Sequence, residues 1–253
     1  MLGIYFSGSG TSAFACKLFV QTIDESASCI AITDDTCVEA IVKHQDIIFA
    51  YPIYYSSLAK IGVDFIEEHS DVWNGKNIFL IATMGLFSGD GSGCGARLLS
   101  SYKANILGGL HVRMPDCICD VRVLKTSHDK NQKLINAAKC RIQTCAHQYQ
   151  MGNYSQQGLS KLSCFSGWIT QRLWFSHKTK VYHALPHINR NACTHCGRCV
   201  SLCPIHNLIQ INTTIEHQSR CTLCYRCANY CPNQAITILG KTVYVQSKIE
   251  DYR

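Results

Sequence analysis

The sequence predicts an α/β protein with a doubly wound, five-stranded parallel sheet, followed by a small α+β domain. Apolar, strand-like stretches alternate with amphipathic helical ones over residues 1–150, which is the rhythm of a parallel sheet. A cysteine repeat then occupies residues 187–240, and its regular spacing sets this region apart. Between the two lies an aromatic-rich connector, residues 151–186, and residues 241–253 are expected to form a C-terminal tail.

Five short stretches in residues 1–150 are predicted as strands because they are apolar and rich in β-branched and aromatic side chains. The amphipathic stretches between them are predicted as helices. The last helix is the clearest, since Leu134, Ala138 and Ile142 share one face. The predicted strands are 2–6, 29–33, 47–51, 78–83 and about 111–112, and the predicted helices are 12–24, 35–44, 58–69, 93–104 and 134–149.

The composition indicates an ordered globular chain, with 47% hydrophobic and only 16% charged residues. The longest apolar stretches, 47–55 and 78–87, are about half as long as a bilayer-spanning helix and are broken by Pro52 and Gly85, so no transmembrane segment is predicted. No secretory signal is recognised at Met1, which predicts a cytoplasmic protein. Lysine and arginine are spread along the chain despite a net charge of +7, so nucleic-acid binding is not expected.

Seventeen cysteines in a chain of 253 residues do not suit a disulfide scaffold, because the count is odd and no export signal is recognised. The thiols are therefore expected to be reduced. Nine of them are scattered and are predicted to be small core side chains rather than redox groups. These nine are Cys16, Cys29, Cys37, Cys94, Cys117, Cys119, Cys140, Cys145 and Cys164.

The other eight cysteines form two runs of identical spacing. Three cysteines separated by two residues each let one short loop wrap three corners of an iron–sulfur cubane. Structural zinc is the alternative, but a zinc ribbon needs only two cysteine pairs for each ion, so the third and fourth cysteine of each run favour iron–sulfur clusters. The runs are Cys193, Cys196, Cys199 and Cys203 before Pro204, and Cys221, Cys224, Cys227 and Cys231 before Pro232.

Residues 187–240 closely resemble the bacterial two-cluster ferredoxin family through both cysteine runs and the proline after each. The resemblance implies two [4Fe–4S] clusters, with the fourth cysteine of each run binding the other cluster. The implied ligands are Cys193, Cys196, Cys199 and Cys231 for one cluster, and Cys221, Cys224, Cys227 and Cys203 for the other.

The charges of this region depart from those of many ferredoxins, since it has four arginines and a single acid, Glu216. Arg198 and Arg226 occupy equivalent positions of the repeat, each just before the third cysteine of its run. Cations at these positions raise the potential of a cluster or dock an acidic partner. A merely solvated surface is the alternative.

A turn rich in serine and glycine follows the first predicted strand and opens directly into a helix. Hydroxyls and backbone N–H groups at a helix N-terminus attract a phosphate, and the helix dipole adds to the attraction. The turn lacks the lysine of a Walker loop and the glycine spacing of a dinucleotide fold. Taken alone, it also fits a plain tight turn. Its residues are Ser7, Gly8, Ser9, Gly10, Thr11 and Ser12.

Two further loops follow the third and fourth predicted strands, at the edge where ligands bind to a doubly wound sheet. They are aromatic or rich in glycine, which suits a flat ring held by stacking and by backbone hydrogen bonds. The candidate residues are Pro52, Ile53, Tyr54, Tyr55 and Ser56 in one loop, and Thr83, Met84, Gly85, Phe87 and Gly89 in the other.

The three segments resemble those of the flavodoxin family, whose phosphate loop follows the pattern [S/T]-x-[S/T]-G-x-[S/T]. The pattern is met here by Ser7, Ser9, Gly10 and Ser12. The resemblance implies FMN, with its phosphate on residues 7–12 and its isoalloxazine between residues 52–57 and 83–89. Tyr54 and Phe87 are the candidates for stacking on the ring, and simple packing is the alternative role for each.

The connector is predicted to contain a helix whose apolar face clamps the two domains together. A membrane-surface helix or a partner-docking helix is the alternative. Its large apolar residues are Leu162, Phe165, Trp168, Ile169, Leu173, Trp174 and Phe175.

The order of the segments resembles the flavodoxin–ferredoxin fusion proteins of anaerobic bacteria over nearly the whole chain. The resemblance implies electron transfer between two [4Fe–4S] clusters and FMN, converting between one- and two-electron steps, with a redox protein or a small-molecule acceptor as partner. One alternative is an FMN-dependent iron–sulfur reductase of a quinone or another small molecule. Another, of a different class, is a zinc-stapled binding module. No catalytic residue is predicted.

Overall fold

A computed structural model describes residues 1–54, 57–86, 90–160 and 186–252. Its first part alternates strands and helices as expected, and we call it the sheet domain. The strands are β1 (Leu2–Tyr5), β2 (Cys29–Ala31), β3 (Asp46–Tyr54), β4 (Ser57–Leu58), β5 (Asn77–Met84) and β6 (Asn105–Arg113). The helices are α1 (Thr11–Ile23), α2 (Cys37–Lys43), α3 (Lys60–Glu68), α4 (Gly91–Ser101) and α5 (His128–Gln150), with 3-10 turns at Ser70–Trp73 and Arg122–Leu124.

The sheet has five parallel strands in the order β2-β1-β3-β5-β6. The short β4 pairs antiparallel with the end of β3. Counting only the parallel strands, the order is 2-1-3-4-5, which is the flavodoxin-like order of a doubly wound sheet. The predicted fold of this domain is therefore confirmed, and its ligand-binding edge is the one where β1 and β3 end.

Helices cover both faces of the sheet, and β3 shows how its side chains divide between them. Ile47, Phe49 and Tyr51 pack with α2, α3 and α4 on one face. Ile48 and Ala50 pack with α1 and α5 on the other. Because successive side chains of a strand point to opposite faces, both faces of this run are apolar, as expected for a central parallel strand.

The last strand differs most from its prediction, since β6 begins at Asn105 rather than near residue 111. Gly108 and Gly109 lower the β propensity of this stretch, so the sequence did not indicate where the strand begins. The backbone of residues 155–157 runs along this edge, with Gly109 N–H donating to the Ser155 carbonyl at 2.7 Å. A Cβ on Gly109 would lie 2.6 Å from Ser92 Oγ, so glycine permits the close approach of backbone and helix.

The cysteine-rich part, which we call the cysteine domain, is a small α+β unit as predicted. It contains β7 (His187–Ile188), α6 (Arg198–Leu202), β8 (Leu208–Ile211), β9 (Thr214–His217), α7 (Arg226–Asn229) and β10 (Ile236–Thr237). β8 and β9 form an antiparallel hairpin, and β10 pairs antiparallel with β7.

The C-terminal residues return to the sheet domain rather than trailing away from it. A 3-10 turn, Ile249–Tyr252, buries both of its end residues against α1 and α5. Asn131 Nδ2 donates to the Tyr252 hydroxyl at 2.9 Å. The predicted tail thus helps to hold the two parts of the chain together.

Among the scattered cysteines, Cys16, Cys37, Cys119 and Cys145 are buried as predicted, whereas Cys140 is exposed. Cys164 and the apolar part of the connector, residues 161–185, lie outside the described residues. Among the helices of the described residues, none has the length and apolarity needed to cross a bilayer.

Candidate functional site

The eight repeat cysteines gather around two cavities, each bordered by four of them. Residues of both motifs contribute to each cavity, because the fourth cysteine of one run approaches the first three of the other. The first cysteine site, a small cavity of about 20 Å³, is bordered by Cys193, Cys196, Cys199 and Cys231. The second cysteine site, of about 10 Å³, is bordered by Cys203, Cys221, Cys224 and Cys227. These are the two sets that the ferredoxin resemblance implied.

Backbone conformation makes each motif curl around its cavity. His195 and Gly197 adopt left-handed φ angles of 56° and 72°, and Leu223 and Tyr225, at the equivalent repeat positions, both have φ of 59°. A bulky residue such as tyrosine is uncommon in this conformation. Its repetition at matching positions indicates that the loop geometry, not the individual side chain, sets these angles.

Backbone N–H groups point at the thiols, as expected for ligands that become negatively charged. Asn207 N–H donates to Cys203 Sγ at 3.2 Å, and Ala235 N–H, at the equivalent position, donates to Cys231 Sγ at 3.3 Å. Leu223 N–H donates to Cys221 Sγ at 3.4 Å. Hydrogen bonds of this kind stabilise thiolates and tune the potential of a bound cluster.

The two sites differ in exposure. All four cysteines of the second site are buried, whereas Cys196 of the first is exposed and its other three cysteines are half-buried. Burial raises the pKa of the Cys221 thiol to about 12 and that of Cys227 well above its ordinary range. Since a metal cluster binds thiolates, a cluster held by these cysteines would have to supply the energy that ionises the buried thiols.

Asp120, a carboxylate of the sheet domain, forms hydrogen bonds with the second motif, and the sequence did not predict this role. Asp120, which is 2% exposed, accepts a hydrogen bond from the Tyr225 hydroxyl at 2.8 Å. It also accepts from the N–H groups of Ile238, Leu239 and Gly240 at 2.6, 2.9 and 3.1 Å. An acid within a largely apolar stretch between β6 and α5 was the only local signal in the sequence.

The phosphate loop, residues 7–12, joins β1 to α1 as predicted, and Ser7, Ser9, Thr11 and Ser12 are buried there. Ser12 N–H donates to Ser7 Oγ at 3.2 Å, and Ser12 Oγ lies 2.7 Å from Thr83 Oγ1. Among the described residues, the structure shows no acceptor for the N–H groups of Gly8, Ser9, Gly10 and Thr11. A buried row of such donors at a helix N-terminus fits a phosphate group.

Residues of the second motif and the C-terminal turn cover this loop. A Cβ on Gly8 would collide with the Cys224 carbonyl, and one on Gly10 would collide with the Ile249 side chain. Arg226 donates to the Ser7 carbonyl from Nη2 at 2.9 Å and from Nε at 3.2 Å. Ile249 N–H donates to the Ser9 carbonyl at 3.0 Å. The phosphate loop is therefore part of the contact between the two domains.

The two predicted ring loops are described only in part. Pro52, Ile53 and Tyr54 end β3, and Thr83 and Met84 end β5, so both loops start at the same sheet edge as the phosphate loop. Tyr55, Ser56, Phe87 and Gly89 lie outside the described residues.

Tyr54 faces the contact between the two domains, whereas Gly85 lies against Asp116 of its own domain. Tyr54, proposed from the sequence as a stacking residue, donates its hydroxyl to the Cys224 carbonyl at 3.4 Å. Burial raises its pKa well above the ordinary range, so the hydroxyl keeps its proton. A Cβ on Gly85 would lie 2.7 Å from Asp116 Oδ2. The hydrogen bond of Tyr54 brings the first ring loop against the second cysteine site.

Comparison with family models decides the class of the cysteine domain. One 4Fe-4S binding domain model matches residues 185–209, and a second matches residues 215–237. The C-terminal region carries two 4Fe-4S binding domains. These 4Fe-4S domains follow a sheet domain of flavodoxin-like strand order, so the predicted organisation, a flavodoxin-like domain joined to a ferredoxin-like one, is confirmed.

Solved structures similar to the chain include flavodoxins and a reductase. The flavodoxin of Megasphaera elsdenii is 21% identical over 46% of this chain and 89% of its own, with a TM-score of 0.41. The FMN-bound flavodoxin of Fusobacterium nucleatum is 16% identical over 59% and 96%, with a TM-score of 0.41. An NADPH-quinone reductase from P. pentosaceus is 14% identical over 59% and 96%, with a TM-score of 0.36. No curated protein matches the chain.

Proposed function

We propose that this protein is an electron carrier that holds two [4Fe–4S] clusters and FMN in one chain. One observation carries the proposal: the second cysteine site and the phosphate loop are in direct contact through Cys224, Tyr54 and Arg226. Cofactors held at these two places would be neighbours. Clusters exchange single electrons, whereas FMN accepts or releases two, so the pair supplies conversion between one- and two-electron steps.

The residues around each site have separate tasks in this proposal. The N–H groups of residues 8–11 and the hydroxyls of the loop would hold the phosphate of FMN. The N–H groups that point at Cys203, Cys221 and Cys231 would stabilise the added negative charge when a cluster is reduced. Tyr54 and the buried wall of the second site would exclude water from the path between the two cofactors.

A carrier is favoured over a reductase that binds a quinone or another small molecule beside the flavin. Such a reductase needs open space above its flavin. Here Cys224 and Arg226 of the second motif and Ile249 of the C-terminal turn cover the phosphate loop, which closes the phosphate end of the proposed flavin site. The zinc-stapled module is disfavoured because both matching family models are 4Fe-4S binding domains.

The test is a reductive titration of anaerobically purified protein, after analysis of iron, sulfide and flavin. We expect about eight iron atoms in each chain, together with one FMN, and cluster bleaching that is accompanied by flavin reduction. A colourless protein with zinc and no iron would support the binding module instead. A flavin that cannot exchange electrons with the clusters would overturn the carrier.

A further inference from the structure

Arg226 belongs to the second cysteine motif, yet its side chain reaches the sheet domain. The guanidinium donates to the Ser7 carbonyl from two nitrogens, at 2.9 and 3.2 Å, and to the Leu202 carbonyl from Nη1 at 3.5 Å. Its Cζ lies 5.3 Å from the centre of the Phe6 ring. Arginine has five N–H donors, so two of them have no acceptor among the described residues.

The phosphate loop has no charged side chain of its own. A bound phosphate would therefore depend on backbone N–H groups, hydroxyls and the dipole of α1 for its stabilisation. Arg226 brings a positive charge to the residue at which the loop starts. Its two contacts with the Ser7 carbonyl also fix the position of that residue relative to the second motif.

The same short segment borders the second cysteine site. Cys224 and Cys227, on either side of Arg226, both line that cavity. The Cys224 carbonyl is in contact with Gly8 and accepts a hydrogen bond from the Tyr54 hydroxyl. The segment therefore contacts the second cysteine cavity and the phosphate loop at once.

We propose that Arg226 is a positioning residue for the flavin phosphate loop, supplied by the second cysteine motif. The inference rests on the proposed function, in which residues 7–12 bind FMN. It adds that the flavin site is composite, because it needs a residue from the cysteine domain to be complete.

The repeat provides a matched control. Arg198 occupies the same place in the first motif, one residue before the third cysteine. It is exposed, and its Cζ lies 5.9 Å from the centre of the Tyr230 ring rather than on the phosphate loop. Replacing either arginine removes one positive charge beside a cluster ligand, but only Arg226 contacts the loop.

The experiment measures FMN dissociation constants of the full-length, cluster-loaded protein by the quenching of FMN fluorescence. We expect Arg226→Gln to raise the dissociation constant about tenfold, which corresponds to about 1.4 kcal/mol. Arg226→Lys keeps the charge but loses the two-pronged contact, so an increase of about threefold is expected. Arg198→Gln should stay within about twofold of the wild type, and iron content should be the same in all four proteins.

Each outcome has a distinct meaning. Equal dissociation constants for Arg226→Gln and Arg198→Gln would overturn the role of Arg226 while leaving the proposed function intact. Where Arg226→Gln does not load iron, Arg226→Lys decides, and a wild-type dissociation constant for that variant overturns the role. A wild-type protein that binds iron but no FMN would overturn the proposed function as well.

Discussion

The two cysteine sites arise from runs of the same spacing, but their surroundings differ. The first site has an exposed cysteine, Cys196, whereas the cysteines of the second are 8% to 9% exposed. At matching repeat positions, the first motif has Gly197 and the second has Tyr225, whose hydroxyl reaches Asp120 of the sheet domain. The difference shows that one half of a symmetric module has been adapted to a fixed internal contact.

The charged residues divide in the same way. Arg198 lies exposed near Tyr230, whereas Arg226 is half-buried on the phosphate loop. In the proposed carrier, this difference would let electrons enter from solvent at the first site and pass internally at the second.

The largest expected effect concerns how fast the two sites lose iron. Under anaerobic conditions with an iron chelator, release should be biphasic, with about four of about eight iron atoms per chain in each phase. We expect the first site to lose iron at least about tenfold faster, because a buried shell limits solvent access to the second. Release is followed by the absorbance of the chelator complex.

Two cysteine variants assign the phases. Cys196→Ser should remove the fast phase, and Cys227→Ser should remove the slow one. A single phase in the wild type, or loss of the fast phase in Cys227→Ser, would contradict the difference between the sites.

A smaller effect is expected on stability when the Asp120 contacts between the two domains are removed. Asp120→Ala removes the acceptor of four hydrogen bonds, from the Tyr225 hydroxyl and from the N–H groups of Ile238, Leu239 and Gly240, which should cost about 3 kcal/mol. The melting temperature of the cluster-loaded protein should fall, and iron release from the second site should accelerate. Asp35→Ala, at an exposed position, is the control and should change neither. If iron release from the second site stays slow in Asp120→Ala, the Asp120 contacts do not protect that site.

Much of the candidate site was predictable because it is encoded locally. The spacing of the cysteines determines how one loop can wrap a cluster, and the serine and glycine turn determines a helix start after β1. The parallel arrangement of the strands also followed from their alternation with helices. Each of these signals lies within a few neighbouring residues.

The contacts that distinguish the two sites were not predictable from the sequence. Tyr225 and Asp120 are 105 residues apart, and Arg226 and Ser7 are 219 apart, so no local pattern links them. A charged residue in a cysteine run looks the same whether it meets solvent or another domain. The sequence therefore described Arg198 and Arg226 alike, and only the packing of the domains separates them.

The smallest effect tests the contact between the C-terminal turn and the phosphate loop. Gly10 and Gly75 both have left-handed φ angles, of 86° and 74°, so alanine at either position should cost about 1 kcal/mol of backbone strain. A Cβ at Gly75 meets open space, whereas one at Gly10 collides with the Ile249 side chain. We therefore expect Gly10→Ala to cost about 1 kcal/mol more than Gly75→Ala, measured by thermal unfolding.

A double-mutant cycle isolates the collision from the strain. Ile249→Ala shortens the side chain that the new Cβ would meet, so it should recover part of the stability lost in Gly10→Ala. It should recover nothing in Gly75→Ala, because a Cβ at Gly75 would have no neighbour within 4 Å. If the costs at Gly10 and Ile249 are simply additive, the C-terminal turn does not press on the loop in solution. A positive coupling would show that Ile249 of this turn is packed directly against the phosphate loop at Gly10.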